Sequence, residues 1–161
     1  MAPWAKRPWE GKKTGPNPTD RSKLGSKRSL LTEAAGVPLA LVCAAANTND
    51  HRLLESTLWG LIVPPPADKG GLCLDKGYDY PVTKQLARQH GLRLHMRARK
   101  EEMRQKKRGY KARRWVVERS HSWSNRFRSL LTRWAKKCAN YEAFGHLAFA
   151  VLIFKQTGLF G

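Results

Sequence analysis

A short apolar run, Leu72-Cys73-Leu74, ends in Asp75 and a Lys76-Gly77 turn, and the rest of the fold can be arranged around it. An apolar run of this length, bounded by turn signals, predicts a buried strand. In open α/β sheets, ligands and reacting groups lie at the carboxyl ends of strands, so Asp75 has a position typical of a catalytic acid. Aspartate before a glycine turn is also a common turn residue, and the pattern alone leaves both roles open.

The chain is strongly basic for its length. Its 161 residues are enough for one core, and 31 Lys and Arg against 12 Asp and Glu give a net charge of +19. Such a charge costs stability through self-repulsion unless a polyanion relieves it, so nucleic acid is the expected partner. Because the cations are spread along most of the chain, an anionic membrane surface is the weaker alternative.

Cysteine spacing and hydropathy favour a reducing, cytoplasmic location. Cys43, Cys73 and Cys138 form no Cys-x-x-Cys pair, and the first two lie in apolar runs where we expect small core residues. No stretch resembles a signal peptide, and the most apolar run, residues 143–154, is too short to span a bilayer. His146 within it is expected to be a core or boundary residue.

The first half of the chain alternates turn signals with apolar segments. Residues 1–28 are rich in Gly, Pro, Lys and Arg and predict either a basic tail or a DNA-contacting loop. Residues 27–45 predict a hairpin that turns at 34–36. Asp50 is expected to cap a helix over 51–59, and Asp79 a helix from Pro81 to His90. Residues 62–70 are predicted to form a linker, and residues 92–99 are predicted to form a strand with one basic face.

A long helix is predicted from Arg114 onwards, with an apolar stripe that packs on the sheet. The stripe comprises Val116, Ser120, Trp123, Phe127, Leu130 and Trp134. We expect Trp123 and Trp134 to be core residues, with base stacking as the alternative. Glu118 falls on the opposite side, either as a solvated acid paired with arginines or as an acid delivered to a phosphate-binding site. The last apolar segment, residues 141–154, predicts a buried helix that closes the sheet.

A series of short motifs then runs in order along nearly the whole chain. They are Thr-Gly-Pro-Asn-Pro-Thr-Asp-Arg at 14–21, Gly-Ser-Lys-Arg at 25–28, Gly-Val-Pro-Leu at 36–39, Ala-Asn at 46–47 with Asp50, Leu-Asp-Lys-Gly-Tyr-Asp at 74–79, Trp-Val-Val-Glu-Arg at 115–119, Ser-Trp at 122–123 and Asn-Arg-Phe-Arg at 125–128. Each motif alone is weak. The ordered series resembles the transposases of insertion-sequence family five, a DDE class related to the family four transposase domain.

The resemblance implies a ribonuclease H-like α/β fold, a mixed sheet with flanking helices. In that family two aspartates and one glutamate bind two Mg²⁺ ions for phosphodiester cleavage and strand transfer at insertion-sequence ends. The second aspartate maps to Asp75 and the glutamate to Glu118, as both catalytic and metal-binding residues. The expected DNA contacts are Lys27, Arg28, Arg114, Arg119, Arg126 and Arg128. The family's downstream Lys falls at Asn125, and its Tyr at Lys111.

The front of the chain departs from the family pattern, because residues 1–13 contain no aspartate to match the first catalytic Asp. Asp20 matches a loop position, and Asp50 is expected to be a helix cap. We therefore expect a partial catalytic domain over 29–161, behind the basic residues 1–28, that lacks its first strand and one metal ligand. Such a chain would be inactive alone.

The expected partners are transposon-end and target DNA, an upstream-frame half of the enzyme and further copies on DNA, in the bacterial cytoplasm with the nucleoid. The alternatives are an inactive remnant and a non-catalytic basic DNA-binding module.

Overall fold

A mixed α/β architecture is seen in the computed structural model, which describes residues 4–6, 13–64, 70–96 and 115–157. The strands are β1 (Trp4–Lys6), β2 (Gly15–Pro16), β3 (Leu24–Thr32), β4 (Pro38–Ala45), β5 (Gly71–Cys73) and β6 (Arg93–His95). The helices are α1 (Asp50–Trp59), α2 (Pro81–Gln89), α3 (Trp115–Ser124), α4 (Arg128–Leu131) and α5 (Cys138–Gln156), with a 3₁₀ turn at Lys76–Tyr78.

The larger sheet is built around the β3–β4 hairpin, as the apolar runs predicted. The two strands are antiparallel, with Ser29 opposite Val42, and the chain reverses through Gly36 at a φ of +90°. That backbone conformation favours glycine, and an added Cβ would also lie 2.9 Å from the Arg119 guanidinium. The hairpin therefore depends on glycine at this turn.

The other edge of β3 pairs with two short strands from the start of the chain. Both β1 and β2 are antiparallel to β3, with Lys6 and Gly15 each opposite Gly25. Part of residues 1–28, predicted as a tail or loop, thus forms sheet. Arg28, the last residue of that segment, lies in the middle of β3. The three residues of β1 include no aspartate.

The smaller sheet joins β5 and β6 in parallel, with Leu72 opposite Leu94. Helix α2 is the crossover between them, and α1 packs over the same core. The core cluster is formed by Leu54, Leu58, Leu72, Leu86 and Ala87, with Leu31 of β3 packed against it. Helix α1 therefore links the two sheets through one apolar core.

Two predicted helix caps are wrong, because both aspartates are engaged by lysines. The cap position of α1 is held by Asn49, whose side chain makes no cap hydrogen bond. Asp50 forms an ion pair with Lys27 at 2.9 Å. Asp79 pairs with Lys84 at 3.2 Å, and α2 begins after Tyr80 without a side-chain cap. Opposite charges within reach compete for a carboxylate with the orphan amide donors of the helix end.

The long helix predicted from residue 114 to 134 is also wrong, because α3 ends at Ser124. The Ser124 hydroxyl donates to the carbonyl of His121 and accepts from the buried Arg28 side chain, so the chain turns before α4. Beyond this break the helical stripe no longer holds. Trp134 is 61% exposed, and Trp123 is half-buried, so the expectation of a core tryptophan is wrong at 134.

Helix α5 follows the predicted terminal helix but is buried on one side only. Tyr141, Gly145, Ala148 and Phe149 are buried, and the Tyr141 hydroxyl donates to the carbonyl of Leu130 at 2.8 Å. His146 is exposed, which makes its expected place in the core or at its boundary wrong.

The three cysteines are free thiols: Cys43 is buried as predicted, whereas Cys73 is exposed. Among the described helices, none is both long and apolar enough to cross a bilayer.

Candidate active site and nucleic-acid interface

Asp75 lies just past the carboxyl end of β5, where the sequence predicted it. It adopts an extended backbone conformation before the 3₁₀ turn, and one carboxylate oxygen accepts the Gly77 amide at 3.3 Å. The side chain is exposed. Its remaining oxygen lone pairs therefore face outward and are available to a ligand.

The turn after Asp75 is anchored on α1. Tyr78 packs against the leucine cluster beneath α1. Burial raises the pKa of the Tyr78 phenol, and the negative charges of Asp50 and Asp75 raise it further. The rings of His51 and Tyr80 lie 4.2 Å apart, which adds a second contact between α1 and this turn. These two contacts with α1 hold the turn that follows Asp75.

Lys27, which we expected to contact DNA, points into the protein. Its side chain is 7% exposed, and its ammonium donates to the Thr48 carbonyl at 2.7 Å as well as pairing with Asp50. The pair ties the middle of β3 to the start of α1. Lys27 offers no surface to a phosphate in this arrangement.

Arg28 is buried on the other face of β3, at 1% exposure. Its Nη1 donates to the Ser124 hydroxyl at 3.2 Å and its Nη2 to the Asn125 amide oxygen at 2.6 Å. No carboxylate among the described residues pairs with it. These contacts place the guanidinium at the carboxyl end of α3, where the negative end of the helix dipole offsets part of its charge. Arg28 therefore fixes the end of α3 rather than offering a DNA contact.

Glu118 lies on the exposed side of α3, as predicted, and has no hydrogen-bond or ion-pair partner among the residues described here. The adjacent Arg119 packs over two indole rings, 4.5 Å from the centroid of Trp115 and 4.8 Å from that of Trp123. Its guanidinium also donates to the Ala35 carbonyl. These contacts of Arg119 hold α3, and with it Glu118, in a fixed position relative to the hairpin turn.

Two other predicted DNA contacts, Arg126 and Arg128, are exposed just beyond the end of α3. Neither forms an ion pair with a described acid. Arg114 lies outside the described residues, as does Lys111. Of the five predicted cations that the structure describes, Arg126 and Arg128 have both the exposure and the open charge that a phosphate contact needs.

The described acids do not by themselves amount to a metal site. Asp75 and Glu118 belong to different elements, and the described ranges contain no group of three or more His, Cys, Asp or Glu side chains placed to hold an ion. Both carboxylates are exposed and open, so each has the oxygen chemistry that Mg²⁺ prefers, but the set is too small.

The structural pairs made by Lys27 and Arg28 were missed by sequence reasoning. Basic residues that are consecutive in a strand point to opposite faces, so at least one of them must face the interior of a sheet with helices on both sides. That alternation was the available signal. The partners, Asp50 and the Ser124–Asn125 pair, have no local signature because they are distant in sequence.

The transposase DDE domain family matches residues 3–153, which is nearly the whole chain. The chain belongs to the DDE transposase family. The presumed transposase of insertion sequence element IS402 from Burkholderia cepacia is 36% identical over 146 residues, which cover 86% of this chain and 67% of that protein. No solved structure matches the chain significantly. The resemblance to a DDE transposase is thereby confirmed, while the narrower family-five assignment stays a prediction.

Proposed function

We propose that this transposase domain cleaves and joins DNA phosphodiester bonds at the ends of an insertion sequence. The observation that carries the proposal is the position of Asp75, exposed just past the carboxyl end of a parallel strand in a DDE transposase domain. Glu118, exposed and without a described partner on α3, is the second acid. The two are proposed to supply carboxylate oxygens at the reacting phosphate.

The proposed metal is Mg²⁺, for which carboxylate oxygens are preferred ligands. Asp75 and Glu118 would provide two of its protein ligands. The described residues hold no group of three such side chains. We propose that a third carboxylate is supplied by another polypeptide, encoded in an upstream frame. When bound, the metal would supply Lewis-acid activation of the phosphate.

The proposed DNA contacts are Arg126 and Arg128. The net charge of +19 would add electrostatic attraction to DNA that does not depend on its sequence. Arg119 is a weaker candidate, because its guanidinium already packs on two tryptophans and donates to Ala35. Replacing Arg126 and Arg128 by alanine should lower duplex affinity and reduce the salt slope by about one for each lost phosphate contact. Arg88, exposed on α2, provides the control.

The test of catalysis measures strand cleavage and joining on labelled insertion-sequence ends, with the chain supplied alone and together with the upstream polypeptide. Asp75→Asn and Glu118→Gln should each abolish Mg²⁺-dependent products while DNA affinity stays within about twofold. Asp79→Asn is the matched control, since Asp79 is exposed four residues away and pairs with Lys84. Full activity of Asp75→Asn would exclude the proposed role.

A second candidate function is non-catalytic DNA binding, which the net charge of +19 supports by itself. In that case Asp75→Asn and Glu118→Gln leave every DNA readout unchanged, and no cleavage occurs with or without the upstream polypeptide. Both candidates predict salt-dependent DNA binding. The cleavage assay separates them.

A further inference from the structure

Trp134 is a largely exposed indole in the segment that joins α4 to α5. Its side chain is 61% exposed, whereas Arg133 before it is fully buried. Ala135 after it packs against the core cluster that contains Tyr141. Because its neighbours on both sides face the interior, the backbone of this segment holds the indole at the surface.

The side chain of Arg133 anchors this segment. Its Nη1 donates to the Ser26 hydroxyl at 2.6 Å, and its Nε donates to the Ala135 carbonyl at 3.2 Å. The guanidinium also lies 5.3 Å from the centroid of the Tyr141 ring. Ser26 belongs to β3 and Tyr141 to α5, so the segment is tied to both the sheet and a helix. A fixed backbone reduces the ordering cost of binding a ligand at Trp134.

The charges close to Trp134 in the chain are basic. No Asp or Glu occurs between Glu118 and Glu142. Four exposed cations occur along residues 126–137, namely Arg126, Arg128, Lys136 and Lys137. We call Trp134 and these four cations the Trp134 patch. The patch includes both arginines that are proposed to contact DNA.

Two other exposed tryptophans have different surroundings. Trp59 is 73% exposed, but no Lys or Arg occurs among residues 53–65. Trp115 is 49% exposed, and the Arg119 guanidinium lies over its ring, 4.5 Å from the centroid. Trp134 combines an exposed indole with several neighbouring cations. In proteins that bind single-stranded nucleic acid, cations follow the phosphates and aromatic rings stack on the bases.

We propose that the Trp134 patch binds an unpaired nucleotide at a DNA end, with the base stacked on the indole and the phosphates beside the four cations. Inside a duplex both faces of a base are covered by its neighbours, so stacking on a side chain favours an unpaired base. This inference deepens the proposed function by naming the form of DNA that is bound. It depends on DNA binding and not on cleavage.

The test compares binding to two DNA duplexes by fluorescence titration. One duplex is blunt, and the other carries a short single-stranded extension that contains a fluorescent adenine analogue. Stacking on an aromatic side chain contributes roughly 5- to 150-fold in affinity per base. The wild type should therefore bind the extended duplex at least about fivefold more tightly than the blunt one and quench the analogue. Trp134→Ala should lose both effects, while its affinity for the blunt duplex stays within about twofold.

Two further substitutions at Trp134 separate stacking from simple apolar contact. Trp134→Phe keeps an aromatic ring and should retain most of the preference and the quenching, whereas Trp134→Leu should lose them. Trp59→Ala is the matched control, because Trp59 is also exposed but lacks neighbouring cations, and it should behave as the wild type. Thermal unfolding of each variant checks that the fold is intact.

Equal binding of the two duplexes by the wild type, or an undiminished preference in Trp134→Ala, would overturn the inference and leave the proposed function standing. An equal loss in Trp59→Ala would also overturn it. Asp75→Asn should keep the preference even if it cleaves nothing, which separates this contact from catalysis. If the wild type binds neither duplex, DNA binding itself fails, and the inference fails with it.

Discussion

His121 provides a direct test of how α3 packs on the sheet. It is 8% exposed, and its Nδ1 has no hydrogen-bond partner among the described residues. Burial, together with a smaller effect of the positive charge of Arg28, lowers the pKa of His121 from 6.5 to about 3. The histidine is therefore neutral in the folded protein near neutral pH.

The sign of the pH effect follows from that lowered pKa. Between pH 6.5 and 3 the unfolded chain binds a proton at this position that the folded chain does not, so stability is present above pH 6.5 and is lost as the pH falls. The slope approaches about 1.4 kcal/mol per pH unit, so acidification from pH 7.5 to 5.0 should cost about 2 kcal/mol from this group alone.

Urea unfolding at pH 7.5, 6.5 and 5.0 isolates this contribution when the wild type is compared with His121→Gln. The wild type should lose about 2 kcal/mol more than His121→Gln over that interval. His146→Gln is the matched control, because His146 is exposed on α5 and its curve should parallel that of the wild type. Parallel curves for the wild type and His121→Gln would refute the burial of His121 against Arg28.

Three further predictions concern the interior. Arg28→Lys should destabilise the protein by at least about 2 kcal/mol in urea unfolding, because one ammonium cannot replace the two charged hydrogen bonds of the guanidinium; a loss under about 0.5 kcal/mol would contradict this. Gly145→Ala should cost about 1–3 kcal/mol, since the new Cβ would meet the Leu41 side chain, and the same substitution should cost less when it is made in a Leu41→Ala chain. A thiol reagent at pH 8 should modify Cys73 quickly and Cys43 only on unfolding, because burial raises the pKa of the Cys43 thiol to about 12. Rapid labelling of a Cys73→Ser chain at a thiol other than the half-buried Cys138 would contradict this.

Much of the local structure could be predicted from patterns of residues close together in the sequence. The β3–β4 hairpin, the helices that became α1 and α2, and the position of Asp75 after a short strand all follow from apolar runs with turn residues at their ends. These signals are reliable because each needs only neighbouring residues. The exposure of Glu118 on α3 likewise followed from helical spacing over one turn.

The errors occur where distant residues meet. Helix α3 ends at Ser124 because Arg28, 96 residues earlier, donates to its hydroxyl, and no local pattern announces that contact. The same break moves Trp134 from the expected core to the surface. The side-chain cap expected of Asp50, at the start of α1, was replaced by an ion pair with Lys27 of β3.

The basic charge, the resemblance to DDE transposases and the strand before Asp75 follow from the amino-acid sequence, because composition, ordered motifs and local periodicity are properties of the chain. Which of its cations remain at the surface depends on how the elements pack in three dimensions. Buried side chains must find partners when the sheet and helices pack, so Lys27 and Arg28 became internal ties. Arg126 and Arg128, beyond the end of α3, remained open to a phosphate.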